Sequence, residues 1–213
     1  MTGYVGDVVA LARKDLLLEL RSRETVPAML LFVVSALVVF HFALPVDASG
    51  SAAYGLLWVG LVFTAFLGLV RAFVAEREEF VLDGLVLAVR DLSAIWLGKG
   101  LSMVVFLTLA AGLALPAFAL FFEPVGWSLV GAVLLANLGL ASVGTLLAAM
   151  AAASRARELL LPLLFLPLVI PLVVGGVGAT ASDDPGRYLA FLGLYDAVFA
   201  ILCWATFEYV VTE

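Results

Sequence analysis

The chain has 213 residues, of which 65% are hydrophobic and 13% charged, with a net charge of −6. That is far too apolar for a water-soluble domain. The acidic balance, with no basic patch and no aromatic–basic strip, excludes nucleic-acid binding.

Residues 1–25 read as an amphipathic interfacial helix. Val5, Val8, Val9, Ala12, Leu16, Leu17 and Leu20 recur at helical spacing, and Asp7, Arg13, Lys14, Asp15, Glu19, Arg21, Arg23 and Glu24 fill much of the rest. One apolar stripe beside a charged face suits a helix lying in the membrane surface. Charges run from Asp7 to Glu24 before any long apolar stretch, which is not the pattern of a cleaved signal peptide.

Six apolar runs follow, at 26–44, 52–74, 101–122, 125–153, 159–179 and 188–211. A helix needs about 20 apolar residues to cross about 30 Å of hydrocarbon, and each run reaches that scale. Backbone polar groups in lipid must be satisfied within their own helix. The expected fold is therefore all-α: one polytopic membrane domain of six transmembrane helices, with little chain left for anything else. Pro27 suits the first turn of the first span, where a missing N–H costs no helical bond.

Charge alternates between the runs. Arg13, Lys14, Arg21 and Arg23 precede the first span, and Arg71, Arg77, Arg90 and Lys99 sit at or between the second and third. Arg155 and Arg157 lie between the fourth and fifth. The other connections carry only Arg187, beside Asp183 and Asp184. Lys and Arg stay on the cytoplasmic face during insertion, so both termini are expected there, in a multi-pass cytoplasmic (inner) membrane protein.

Residues 75–99 are the expected cytoplasmic coupling segment. It opens on Glu76-Arg77-Glu78-Glu79 and reaches Asp83-Gly84, which reads as a turn. Asp91 or Ser93 is placed to cap the helix leading into the third span. A charge run between helices is usually a solvated face; its position after the second span suits docking of a cytoplasmic partner.

The fourth span carries Gly131, Ala132, Ala136, Asn137, Gly139, Ala141, Ser142, Gly144, Thr145, Ala148 and Ala149. Small residues at three- and four-residue spacing mark a helix buried among others. In the fifth span, Pro162, Pro167 and Pro171 are expected to bend or break the helix. No internal repeat is evident.

Few residues carry chemistry. The only Gly-Lys pair, Gly98-Lys99, is followed by Gly100 where a phosphate-binding loop needs Ser or Thr, so no ATPase site is expected in this chain. Cys203 is the single cysteine and reads as a small buried residue. Glu123 and Glu208 sit at helix ends, and Asn137 reads as a polar bridge between helices. Asp196, about 12 Å into the last span at helical rise, and His41, the one histidine, are the candidates for a pathway or subunit contact. A lone interfacial histidine is more often a helix-end residue than a haem ligand. No metal site and no directly bound cofactor are expected.

Three segments resemble one family. They are Ala-Arg-Lys-Asp-Leu-Leu-Leu-Glu-Leu-Arg-Ser-Arg-Glu at 12–24, the stretch from Arg71 through Glu76-Arg77-Glu78-Glu79 and Leu82-Asp83-Gly84-Leu85 to Leu97-Gly98-Lys99, and the triple-proline run 161–171. With six spans they resemble CcmB, the ABC-type membrane component of cytochrome c maturation haem exporters. Phe80-Val81 stand where the family pattern has Gly-Thr, and Val89 where it has Pro. The Glu-Arg-Glu-Glu element is shared more widely by type-2 ABC exporter permeases, so a permease for a lipid or drug is the alternative. The resemblance implies two copies of this chain with two copies of a CcmA-like ATPase that binds ATP. The first and fifth spans are the expected contact between copies. It also implies CcmC-like, CcmD-like and CcmE-like partners, with haem in the complex. Glu76, Arg77, Glu78, Glu79, Asp83 and Gly84 would dock the ATPase. ATP hydrolysis would then drive haem export or release of a haem-loaded chaperone.

Overall fold

A computed structural model describes residues 3–45, 50–78, 89, 91–153 and 157–212. Seven helices account for nearly all of these: α1 Tyr4–Ser22, α2 Thr25–Ala43, α3 Gly50–Glu78, α4 Ser93–Phe121, α5 Trp127–Ala153, α6 Arg157–Ala181 and α7 Pro185–Thr212. The last six are each long and apolar enough to cross a membrane. The protein is an all-helical polytopic membrane protein, as the apolar runs require.

Short connections set the neighbours. Arg23 takes the left-handed conformation (φ 54°) that ends α1, and α2 starts two residues later. Pro27 falls in the first turn of α2, where its missing N–H is harmless. Asp91 accepts hydrogen bonds from the Ser93 backbone N–H at 2.9 Å and the Ser93 hydroxyl at 2.7 Å, which fixes the start of α4.

The core sits around α5. This helix packs on α3, α4, α6 and α7, and it is the most enclosed of the six spans. The reason is written in its side chains: Ala132, Ala136, Ala141 and Ala148 are all buried, and small residues let neighbouring backbones come close. Large side chains from the other helices fill the space left, among them Trp58, Leu57, Phe118, Phe165 and Leu172. By contrast α2 and α7 are the least enclosed spans. Their outer faces carry uncovered Leu31, Phe32 and Val39 on α2, and Leu194, Ile201 and Leu202 on α7, which suits a lipid solvent.

Of the bend or break expected at the triple proline, the break does not occur. Helix α6 runs through Pro162, Pro167 and Pro171 without interruption. Pro171 has no N–H for the carbonyl of Pro167, and its ring crowds the turn before it. One residue further on, the Tyr195 hydroxyl of α7 donates to Leu168 O at 2.7 Å and ties this turn to the neighbouring helix.

Candidate functional site

Three places carry the polar chemistry: one end of the bundle around α1, the middle of α7, and the opposite end where α2 and α4 finish.

At the first end, α3 outruns the membrane. Its 29 residues span about 43 Å at 1.5 Å each, more than the hydrocarbon thickness of about 30 Å. The apolar part closes at Arg71, so the turns from residue 72 to Glu78 continue the same helix past it. Glu76, Arg77 and Glu78 are on this extension; the structure gives their backbone as helix. Glu79, Asp83 and Gly84 lie outside the described residues.

Helix α1 lies on the start of α4. A Cβ at Gly98 would meet Leu11 at 2.7 Å, so glycine is what lets α1 come down onto α4. Val8, Leu11 and Ala12 are buried there. Lys99 reaches Asp15 at 3.5 Å, and Lys14 reaches the same carboxylate at 3.2 Å. The Ser102 hydroxyl donates to Ala12 O at 3.2 Å, and Tyr4 and Ser93 share a hydroxyl hydrogen bond of 3.1 Å. A second apolar strip on α1, Val5, Val9, Leu17 and Leu20, stays uncovered and available to lipid.

Two further ties gather the helix ends. Glu19 of α1 accepts from the backbone N–H of Thr25 at 3.1 Å and of Val26 at 2.7 Å. The first N–H groups of a helix lack intrahelical partners, and a carboxylate there also meets the positive end of the helix dipole. Arg71 donates from Nη1 to Glu24 O at 3.4 Å, which brings the end of the second span to the start of the first. Sequence alone does not single out Asp15, Glu19 and Lys99 as a set. The one signal is a lysine in an apolar helix start, and nothing local names its partner 84 positions away.

Asp196 lies inside the chain. Both carboxylate oxygens are buried, and neither has a hydrogen-bond partner among the described residues. Oδ1 is packed over Gly139 of α5, where a Cβ would stand 2.5 Å from it and 3.0 Å from Leu172. No Lys, Arg or His occurs in α5 or in the spans 161–181 and 188–210. The carboxylate therefore faces α5 and α6 rather than the outer surface. Asn137, expected as a polar bridge, is buried with its Nδ2 unpaired among the described residues. Cys203 is buried, as expected.

His41 is at the opposite end, exposed, with ring centroids 5.3 Å from Phe42, 5.2 Å from Phe121 and 5.6 Å from Phe122. Its neighbours are the rings at the ends of α2 and α4, whereas Asp196 packs on Gly139 of α5. Glu123, at the same end, packs against Gly50 at the start of α3. Among the described residues no group of three or more His, Cys, Asp or Glu is placed to hold a metal ion.

Comparison with known proteins bears on what this arrangement is for. A family model described as CcmB protein matches residues 7–210. The chain belongs to the CcmB family. The relatives it is similar to include Heme exporter protein B of Paracoccus denitrificans, 33% identical over 193 residues, which cover 86% of this chain and 88% of that protein. Heme exporter protein B of Bradyrhizobium diazoefficiens is 30% identical over 207 residues, 91% of this chain and 87% of that protein. Heme exporter protein B of Pseudomonas aeruginosa is 32% identical over 186 residues, 83% and 81% respectively. No solved structure matches the chain. The family match takes in α1, all six spans and the segment between α3 and α4, so α1 belongs to the family's shared body.

Proposed function

We propose that this chain is the membrane component of an ATP-driven haem export complex in cytochrome c biogenesis. The observation that carries the reading is the similarity to proteins named Heme exporter protein B across most of both chains. The end of the bundle bearing α1 faces the cytoplasm, in the inner membrane, since the clustered Lys and Arg lie there. The chain has no ATPase site of its own and holds no resident cofactor; ATP is bound by a separate CcmA-like protein. Two copies of the chain pair with two copies of that ATPase, and CcmC-like, CcmD-like and CcmE-like proteins complete the complex.

The projecting end of α3 supports a docking role for Glu76, Arg77, Glu78, Glu79, Asp83 and Gly84. An unbroken helix carries a push on its last turns into the membrane without a hinge. The ties from Lys99 to Asp15 and from Arg71 to Glu24 O would hand that motion to α1, α2 and α4. Coupling of this kind works only through contacts that differ between two states of the ATPase. Its output is haem export or release of a haem-loaded chaperone on the far side.

The test is a pull-down of the tagged chain from detergent-solubilised membranes, with ATPase activity read on the same sample. Wild-type chain brings down an ATPase; the triple change Glu76→Lys, Glu78→Lys, Glu79→Lys releases it and abolishes c-type cytochromes. Intact cytochromes in the triple variant would leave a scaffold that only holds other proteins of the complex. Intact cytochromes in a strain lacking the chain would sink the haem export reading altogether.

A further inference from the structure

The end of the bundle away from α1 holds an arrangement that the docking and coupling reading leaves unused. Helices α2 and α4 finish side by side there, and their last turns bring one imidazole among three phenylalanine rings. Phe121 is tilted 38° to His41, while Phe122 and Phe42 meet it edge-on at 81° and 72°. The packing continues inward: Phe122 stacks on Phe118 at 5.2 Å and 23°, and Phe118 lies 5.5 Å from Tyr54 of α3. Phe118 is fully buried. A ladder of rings thus ties an exposed histidine to the core of the bundle, and aromatic pairs of this kind hold their geometry.

The imidazole is fixed by its faces, and its polar atoms are left unengaged. Neither ring nitrogen hydrogen bonds to another described residue. A histidine serving only to finish a helix usually donates to a nearby carbonyl or carboxylate. Beside it stands the most uncovered large apolar side chain among the described residues, Phe42 at 82%. The site therefore offers one nitrogen ligand, packed among rings, at the edge of a phenylalanine platform at the membrane rim.

We propose that His41 is an axial-ligand contact for an iron porphyrin, with Phe121 and Phe122 fixing the imidazole and Phe42 receiving the macrocycle. The proposal rests on the haem export reading and gives that cargo a place on this chain. The chemistry is simple ligation: a lone pair of one imidazole nitrogen binds the iron and displaces a water or other weak axial ligand. No bond of the protein breaks and no electron is transferred. A flat, largely apolar ring suits the platform, and histidine is a common axial ligand of haem iron. One protein ligand on an open surface makes a contact that exchanges rapidly, which suits passage of cargo rather than storage.

The experiment is titration of the purified full chain in detergent with ferric haem, followed by its Soret band. Wild-type protein is expected to saturate with a histidine-ligated spectrum. His41→Ala should weaken binding by more than about tenfold, the scale at which even outer-shell partners of a metal ligand act. Free imidazole should restore the spectrum in His41→Ala, a rescue that a merely structural role would not give. His41→Gln, which keeps the size of the side chain, serves if the alanine variant does not fold. Equal affinity and an equal spectrum in wild type and either variant would overturn the proposal. That result with cytochromes still lost on deletion of the chain removes His41 as a haem contact and leaves the export reading standing. Cytochromes unaffected by deletion remove the export reading instead.

Discussion

Lys99 of α4 and Asp15 of α1 meet at 3.5 Å in a contact that leaves only 5% of the lysine side chain exposed. A long cation is thus enclosed at the join between the interfacial helix and the bundle, with a carboxylate drawn in to face it. Replacing both members of such a pair with apolar residues is often neutral, while losing one removes a bond between charged groups. We therefore expect Asp15→Asn to lower stability by about 1.5–3 kcal/mol, the scale of a hydrogen bond to a charged group. The double change Asp15→Leu with Lys99→Met should recover most of that loss. Thermal unfolding in detergent reads both, and equal midpoints for Asp15→Asn and wild type would show that the contact contributes nothing.

Gly139 is expected to be intolerant of any side chain. A methyl group there stands 2.5 Å from Asp196 Oδ1, so Gly139→Ala must push α7 or Leu172 of α6 aside. Overpacking of this kind costs about 1–3 kcal/mol. Asp196→Asn acts in the other direction. It keeps the shape, cannot carry a charge and brings an amide donor, so its melting temperature should equal or exceed that of wild type. A clear loss of stability in Asp196→Asn would show that the carboxylate has a partner outside this packing.

Tyr195→Phe removes the donor to Leu168 O. The expected loss is about 1 kcal/mol, the usual net value of a hydrogen bond. Its local effect is more diagnostic, because this carbonyl lies in the turn already weakened by Pro171. Hydrogen exchange should quicken around residues 168–173 while peptides from α5 stay unchanged. Uniform exchange across the protein would argue that the tyrosine does not hold the proline-rich helix.

Glu19→Ala strips the acceptors from the Thr25 and Val26 N–H groups at the start of α2. Loss of an N-terminal cap costs about 0.5–2 kcal/mol. Glu19→Gln keeps one acceptor and should cost less. The ranking wild type, Gln, Ala in melting temperature is the expected outcome, and a reversed order would disprove the capping role.

The spans were legible in the sequence because lipid leaves few options. A run of about 20 apolar residues crosses as a helix. The start of α4 was legible for a local reason, since Asp91 and Ser93 stand two residues apart and bond to each other. So was the burial of α5, which its small residues announce. Continuity through Pro162, Pro167 and Pro171 was not legible, because it depends on how neighbouring helices pack around α6. Nor were the pairs Lys99 with Asp15 and Asp196 with Gly139, which exist only once helices remote in sequence pack. Of the residues proposed to dock an ATPase, Glu79, Asp83 and Gly84 lie outside the described residues, and the extension of α3 that carries Glu76 is what the fold adds to the proposal.

The enclosure of α5 has a mechanical side. Its glycines act as sockets: Leu69 of α3 sits against Gly144, and Leu172 of α6 against Gly139. Side chains seated this closely must unpack before one helix can slide past another. A push arriving through α3 would therefore carry α5 with it, and movement of packed helices as one body is the motion this surface favours.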